Sequence, residues 1–383
     1  MKRLLLYLLA LVPFCASAQT IASGYYRVQH TVTERFMTIV DTAAVVRASA
    51  TAGSNVEADL KAIHMMKNFE DSISFNAASI CYIEYVGGNS YNLSGQGLDL
   101  YTQTGHVINA INHKGNWWLY ATASAVSRYL IDNTYHGTVY WPTISTEGSS
   151  NRDWKVLPVD QNNDKQYFGI KPDLNVGGAY WATMYAGFPY KSTDGNTKIY
   201  RVKEVIGKYA IIEEVDEVPA GTPVLIHCGT ATPSGNRMTL LTKVTASVGA
   251  NSLRGNWYCN DVVDSPSGLV KHRHLTPYNS STMRMLGVSN GKPAFVKGND
   301  ENLVRSKIDG KLYLPANKCY LSVSSSAPDV LEVVTMEEYL TGIHEIVTPV
   351  TEGKKVIYDL QGRRVQAPSK GLYIVNGKKV VIK

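Results

Sequence analysis

Apolar runs in this chain seldom extend beyond a handful of residues before Gly, Pro, Asn or Asp interrupts them, which suits short strands better than long helices. The 24 Tyr against 7 Phe, with frequent Val, Ile and Thr, point the same way. Residues 24–30 and 35–39 read as strand, polar turn, strand. Residues 116–121 and 128–132 repeat that unit, and 80–86 with 91–101 form a weaker copy. Recurrence at roughly 40–55 residues signifies a repeated supersecondary unit. Trp154 to Val159 closes the region. Residues 59–75 depart from it: Leu60, Ile63, Met66 and, less regularly, Phe69 recur at helical spacing, which predicts a helix there.

After Pro158 a polar linker, residues 160–165, leads into further strands, predicted over 166–170, 178–185, 197–205, 208–215, 222–227, 237–244, 282–289 and 292–296. Residues 253–274 read as a longer irregular loop. Two stretches echo each other: Val218-Pro219-Ala220-Gly221-Thr222-Pro223-Val224-Leu225-Ile226 and Leu314-Pro315-Ala316-Asn317-Lys318-Cys319-Tyr320-Leu321. Each is a Pro-Ala turn followed by an apolar strand, with Gly or Asn supplying the bend. They are expected to be equivalent corners of two related halves of a β-sandwich. The end of the chain reads as a meander of three strands, 356–360, 372–375 and 379–382. Asn376-Gly377 joins the last two, the strongest short hairpin signal. So small a meander buries too little to be stable alone.

Three resemblances follow from these residues. The run Ile357 to Val365 followed by Gly371 to Val380 is similar to the C-terminal sorting-type domains of secreted Bacteroidetes proteins. In that family a small β-domain directs export across the outer membrane and attachment to the surface. The implied partner is therefore the outer-membrane (type IX) secretion machinery. The tail departs from the family in being short and in lacking an Asn-Pro opening strand. The Leu314–Leu321 corner resembles a β-rich module of secreted proteins from the same bacteria. The repeated N-terminal units resemble a ricin-type β-trefoil, which implies sugar binding in shallow pockets. That family's Gln-x-Trp motif falls on Arg152-Asp153-Trp154, with Arg in place of Gln. The expected fold is mostly β: a trefoil-like domain over 19–158, a β-sandwich-like domain over 159–340 and a C-terminal β-meander over 341–383.

The first 18 residues have the form of a secretory signal peptide: Lys2 and Arg3, an apolar core, then Ala16-Ser17-Ala18. Cleavage is expected between Ala18 and Gln19, with lipidation at Cys15 as a minor alternative. No later stretch is apolar and long enough for a transmembrane helix. The expected location is extracellular or on the outer cell surface, and periplasmic if the tail is not an active signal.

The formal net charge is +6, of which Lys2 and Arg3 contribute two. Residues 352–383 hold eight Lys or Arg and two Asp or Glu, so the basic excess is in the tail and the body carries −2. That argues against a phosphate-backbone partner, and no nucleic acid is expected. Cys81, Cys228, Cys259 and Cys319 lack zinc or redox spacing. One or two disulfides and buried free thiols both remain open.

Aromatic residues concentrate at Trp117, Trp118, Tyr120, Tyr135, Tyr140 and Trp141. Such rings stack on the C–H faces of sugars, and Asp132, Asn133 or His136 could fix the hydroxyls. The candidate ligand-binding set is Trp117, Trp118, Asp132, Tyr135, His136, Tyr140 and Trp141. The competing reading makes them strand fillers, with one Trp of the 117–118 pair in the core. On a strand the two must face opposite sides.

Catalytic signatures are weak. Lys271-His272-Arg273-His274 places two His on one strand face, but the flanking cations make a solvated basic loop the better reading. His344-Glu345 lacks the second His of a zinc protease, and neither a G-x-S-x-G, a P-loop nor a Rossmann fingerprint occurs. Glu213, Glu214, Asp216 and Glu217 read as an exposed edge and turn. No metal, cofactor or catalytic residue is assigned. The leading function is non-catalytic binding at the cell surface with a glycan as ligand. The alternatives are an adhesive or structural protein with a protein partner, and a hydrolase whose carboxylate pair lies on distant segments.

Overall fold

The computed structural model describes residues 20–41, 58–99, 108–123, 126–133, 138–141, 152–244, 247–261, 274–341, 357–359, 361–366, 368–375 and 378–382. The signal-peptide reading lies outside them. The fold is mostly β and contains a barrel. It divides into two compact units, one running to Val333 and the other from Val334 to Lys383.

The first unit begins with β1 (Gly24–His30), β2 (Phe36–Ile39), β3 (Ala58–Met66), β4 (Cys81–Gly87), β5 (Ser90–Gly95) and β6 (Leu98–Asp99). It continues with β7 (Ile108–His113), β8 (Asn116–Ala123), β9 (Val126–Tyr129), β10 (Ile131–Asn133), β11 (Thr138–Trp141) and β12 (Asp153–Pro158). Six of these close a ring: β1 pairs with β12, β12 with β8, β8 with β7, β7 with β5, β5 with β4, and β4 returns to β1. Closure leaves these six without a free edge. Strand alternation fills the interior. Along β8, Trp117 and Leu119 are buried while Trp118 and Tyr120 are half-buried. Trp154 is fully buried, and its Nε1 donates to the Leu130 carbonyl at 3.0 Å.

The helix expected over 59–75 is instead a strand, β3, followed by a single π-helical turn, Phe69–Ile73. Pairing with β2 on one side and β11 on the other decides the conformation, because an apolar residue at every third position is too short a signal to overrule two ladders. The turn is held from below by buried Arg27. Its Nε donates to Ser79 Oγ at 2.9 Å, its Nη2 to the Ile73 carbonyl at 3.2 Å, and its guanidinium lies over the Phe69 ring.

The next strands are β13 (Phe168–Gly169), β14 (Leu174–Val176), β15 (Ala179–Met184), β16 (Tyr190–Ser192), β17 (Lys198–Ile206), β18 (Tyr209–Glu214), β19 (Glu217–Val218) and β20 (Val224–Cys228). Then come β21 (Arg237–Leu240), β22 (Leu253–Asn256), β23 (Met283–Ser289), β24 (Lys292–Val296), β25 (Val304–Arg305), β26 (Leu312–Tyr313), β27 (Lys318–Ser322) and β28 (Val330–Thr335). Each predicted strand between 166 and 296 has a counterpart, with bounds shifted by a few residues. Leu253–Asn256, assigned to a loop by sequence, is a strand because β27 supplies its ladder.

One ten-stranded sheet runs β14-β15-β20-β17-β18-β28-β24-β23-β27-β22. Its order is symmetric about β28. On one side the hairpin β17–β18 pairs through β17 with β20, which pairs with β15. On the other the hairpin β23–β24 pairs through β23 with β27, which pairs with β22. The two echoing sequences are the corners entering β20 and β27. Gly221 and Asn317 occupy the same place in them, at φ 68° and 56°. Glycine reaches that region freely and Asn tolerates it. Both corners bond the end of β15: Gly221 N donates to the Ala186 carbonyl at 2.8 Å, and Tyr185 N to the Asn317 carbonyl at 3.0 Å. Val202 and Leu225 from one half meet Leu286, Phe295 and Leu321 from the other in a shared core. A second core places Phe168, Tyr190 and Met238 of the sheet β13-β21-β16-β19 against Met184 and Ile226.

Barrel and second body meet on Gln96 and Gly97, between β5 and β6. Gln96 and Asn317 exchange side-chain amide hydrogen bonds at 3.0 and 3.1 Å, and Tyr258 Oη donates to the Gln96 carbonyl. Trp257 covers Gly97 so closely that a Cβ there would lie 2.5 Å from its ring. Cys81, Cys228, Cys259 and Cys319 are free thiols. Burial pushes Cys81 and Cys228 up to about 12 and Cys259 to about 11, so they pack as small hydrophobes and do not act as thiolates.

In the second unit, α1 (Met336–Thr341) starts from a capping box in which Glu338 N donates to Thr335 Oγ1 and Thr335 N to Glu338 Oε2. The strands β29 (Ile357–Tyr358), β30 (Gly371–Val375) and β31 (Lys378–Ile382) form an antiparallel meander. The register pairs Val375 with Lys378, as a two-residue connection requires.

The approach of Tyr185 to Gly255 tests the packing of the second body. A Cβ on Gly255 would sit 2.1 Å from the Tyr185 ring, which stacks on Trp257 at 4.8 Å. Gly255→Ala is expected to destabilise by roughly 1–3 kcal/mol in denaturant titration and to weaken the near-ultraviolet dichroism of that pair.

Candidate binding face

The outer face of the barrel carries a continuous aromatic surface on β7, β8, β9 and β12. Its members are brought together by register: Ile111 opposite Trp118, Trp118 opposite Asp153, and Tyr120 opposite Tyr129. The Trp118 indole Nε1 donates to Asp153 Oδ1 at 2.7 Å. His113 Nδ1 lies 2.9 Å from the same oxygen, and its ring stacks on Trp118 with centroids 4.2 Å apart. Tyr129 meets Trp118 edge-on at 5.6 Å and lies 5.3 Å from Tyr120. The buried Arg152 guanidinium covers Tyr129 at 4.7 Å. Partial burial, and then the neighbouring Tyr129, hold the Tyr120 hydroxyl above its ordinary pKa.

This arrangement is a fixed platform. Trp118 is held in one orientation by Asp153, so stacking on it costs little further side-chain entropy. Asp153 has 22% of its side chain exposed, and its Oδ2 meets no protein donor among the described residues. It is an acceptor placed beside an aromatic face, which suits a ligand with both C–H faces and hydroxyls.

The sequence-predicted residues fare differently. Trp118 is on this face. Trp117 is in the core, 7% exposed, with no face open to a ligand. Asp132 is buried too. It accepts from Thr33 Oγ1 at 2.5 Å and from the Arg35 guanidinium through Nε and Nη2, with His30 3.8 Å away. Its role is to tie the turn after β1 to β10. Tyr140 and Trp141 fall on β11, where the backbone pairs them with Ile131 and Ala58. Tyr135 and His136 lie outside the described residues. Sequence reasoning counted Tyr120 in the cluster but missed His113, Tyr129 and Asp153. The signal available for Asp153 was its place inside the Arg152-Asp153-Trp154 motif.

Among the described residues no group of three His, Cys, Asp or Glu side chains stands close enough to hold a metal. Residues 271–273 lie outside the described set, while His274 pairs with Asn260 through the backbone. Glu213 and Glu214 sit in ion pairs with Arg201, Lys203 and Lys198, and Glu217 pairs with Lys191. No known protein family, curated protein or solved structure matches this chain.

A second aromatic group is on the second body: Trp181 lies 4.6 Å from His227 and 6.3 Å from Tyr200. Burial, and then the charge of Lys198, hold His227 below its ordinary pKa of 6.5. In this window the unfolded chain binds the extra proton, so stability falls as pH drops through about 6.5 and levels off below the folded pKa. Lys198→Met should raise the His227 pKa in an NMR titration and reduce that acid-side loss. An unchanged titration would refute the assigned contribution of Lys198.

Proposed function

We propose that this is a secreted, surface-associated binding protein without catalytic activity, and that its ligand is a glycan held on the Trp118–Tyr120–Tyr129 face of the barrel. The observation that carries the reading is the half-buried Trp118, fixed by Asp153 and flanked by His113 and Tyr129. A sugar ring would stack on the indole and tyrosine planes, and its hydroxyls would donate to Asp153 Oδ2. The six-strand ring with further strands paired outside it supports a trefoil-like N-terminal domain. The symmetric sheet about β28 supports a second domain built from two related, sandwich-like halves. The signal-peptide-like start and the sorting-type tail support export to the cell surface, with the outer-membrane secretion machinery as a further partner.

One feature favours a protein partner as the second reading. Ile111 is 37% exposed directly opposite Trp118, which extends the face as a flat apolar surface.

The test is binding of the chain from Gln19 onward to an array of bacterial, host and plant glycans, alongside the Trp118→Ala, Tyr129→Ala double variant. Specific binding that weakens by roughly tenfold or more in a still-folded double variant is expected, since each stacked ring contributes about 0.5–1.5 kcal/mol beyond its buried area. Asp153→Asn should weaken binding less and shift Trp118 fluorescence. Equal binding by the double variant, or none to any glycan, would sink the glycan reading and leave the protein-partner one.

A further inference from the structure

A cavity of about 480 Å³ lies in the second body and not on the aromatic face. Its floor is apolar, with Met285, Leu286 and Leu303 each less than a tenth exposed. Its rim is polar. Asp173 receives Lys318 Nζ on Oδ1 at 2.5 Å and Thr183 N on Oδ2 at 2.8 Å. Glu301 stands exposed on the same rim, and its carboxylate meets no protein partner among the described residues. Asp173 and Lys318 compensate each other, so Glu301 leaves the mouth with one negative charge.

The internal symmetry of the sheet identifies what this space is built to hold. Leu225 of β20 and Leu321 of β27 are equivalent, facing Tyr200 and Arg284. One residue further on, Arg201 therefore corresponds to Met285. Their partners across the hairpins, Glu213 and Val296, correspond likewise. In the first half Arg201 fills the position. Its guanidinium bonds Glu213 through Nε and Nη2 and donates to the Ala250 carbonyl through Nη1 at 2.7 Å. It presses so closely on Gly249 that a Cβ there would lie 2.5 Å from Nη1. In the second half the ion pair is replaced by Met285 and Val296, both of which line the cavity, and Glu301 stands on its rim.

We infer that this cavity binds a short alkyl stem ending in a guanidinium or ammonium group, as in an arginine or lysine side chain. The stem would lie on Met285, Leu286 and Leu303, and the cation at the Glu301 side of the mouth. The source is either a free small amine or a residue of a polypeptide.

Calorimetric titration of the full chain with n-butylguanidinium, N-acetyl-arginine amide and hexanoate tests this. Saturable binding of the two cations is expected, with hexanoate, of similar apolar bulk and opposite charge, bound at least roughly tenfold more weakly. Tighter binding of the blocked arginine assigns a polypeptide source; tighter binding of n-butylguanidinium assigns a free amine. The Met285→Arg, Val296→Glu variant rebuilds the filling of the first half and should abolish binding with thermal stability retained. Glu301→Lys, on an exposed side chain, should reverse the charge preference without affecting the fold, and decides the matter if the double variant does not fold. The inference is overturned if hexanoate binds as well as the cations, if Glu301→Lys binds them like the parent chain, if a folded double variant still binds, or if none of the probes saturates.

Discussion

Asn317 is the residue on which most of the first unit converges. It turns the corner into β27 at φ 56°, a conformation its counterpart in the other half meets with Gly221. Glycine answers only the backbone demand. Asn answers it and still has an amide to use. That amide donates to the Tyr185 carbonyl and exchanges two hydrogen bonds with Gln96 of the barrel, while the Asn317 carbonyl accepts from Tyr185 N. Both amides are buried, so losing either partner would strand the other without water, at a cost of about 1–3 kcal/mol. Around this pair Tyr185 and Trp257 pack against glycines, which alone allow rings to approach the backbone so closely. The barrel and the duplicated sheet are joined at this amide pair and through a shared apolar core in which Ala77 and Ile80 meet Phe168 and Phe188.

How much of this is legible in the sequence depends on the range of the interaction. Strands were readable wherever a short alternating run met a turn residue, and the echo of Pro219-Ala220-Gly221 in Pro315-Ala316-Asn317 pointed directly to two equivalent corners. The Trp117–Trp118 pair was readable as one ring in and one ring out. Ring closure was not, because it rests on ladders such as Gly24 with Ile83 and Tyr26 with Pro158, which no local pattern encodes. The same reason explains the helix expected over 59–75, which two strand partners overrule, and the strand hidden at Leu253–Asn256. Asp132 shows the limit for sites. An aspartate among aromatics resembles a hydroxyl ligand, but a partner 97 positions away, Arg35, gives it a structural role.

The three consecutive residues Arg152, Asp153 and Trp154 connect core to surface. Strand alternation sends the Trp154 ring inward, where its indole is anchored on Leu130, and sends Asp153 outward to Trp118 and His113. Arg152 lies back over Tyr129. The platform therefore inherits its rigidity from the core: Asp153 cannot shift without moving the neighbour that fills the barrel. Three of the four strands that carry this face, β7, β8 and β12, belong to the closed ring, and β9 is added to it through β8.

The second body solves a different problem with the same economy of parts. Two halves of one topology face each other, and the places where they differ are where packing alone no longer dictates the residue. Tyr185 is matched across the symmetry by Gly255, and the ring of one occupies the space left by the other. Arg201 and Glu213 are matched by Met285 and Val296, which line the cavity. That cavity is a pocket with an open mouth, at which Glu301 is exposed. The equivalent position in the other half carries an arginine held in an ion pair with Glu213. The open half is then a difference between two equivalent sites in one chain, and not a failure of the fold to pack.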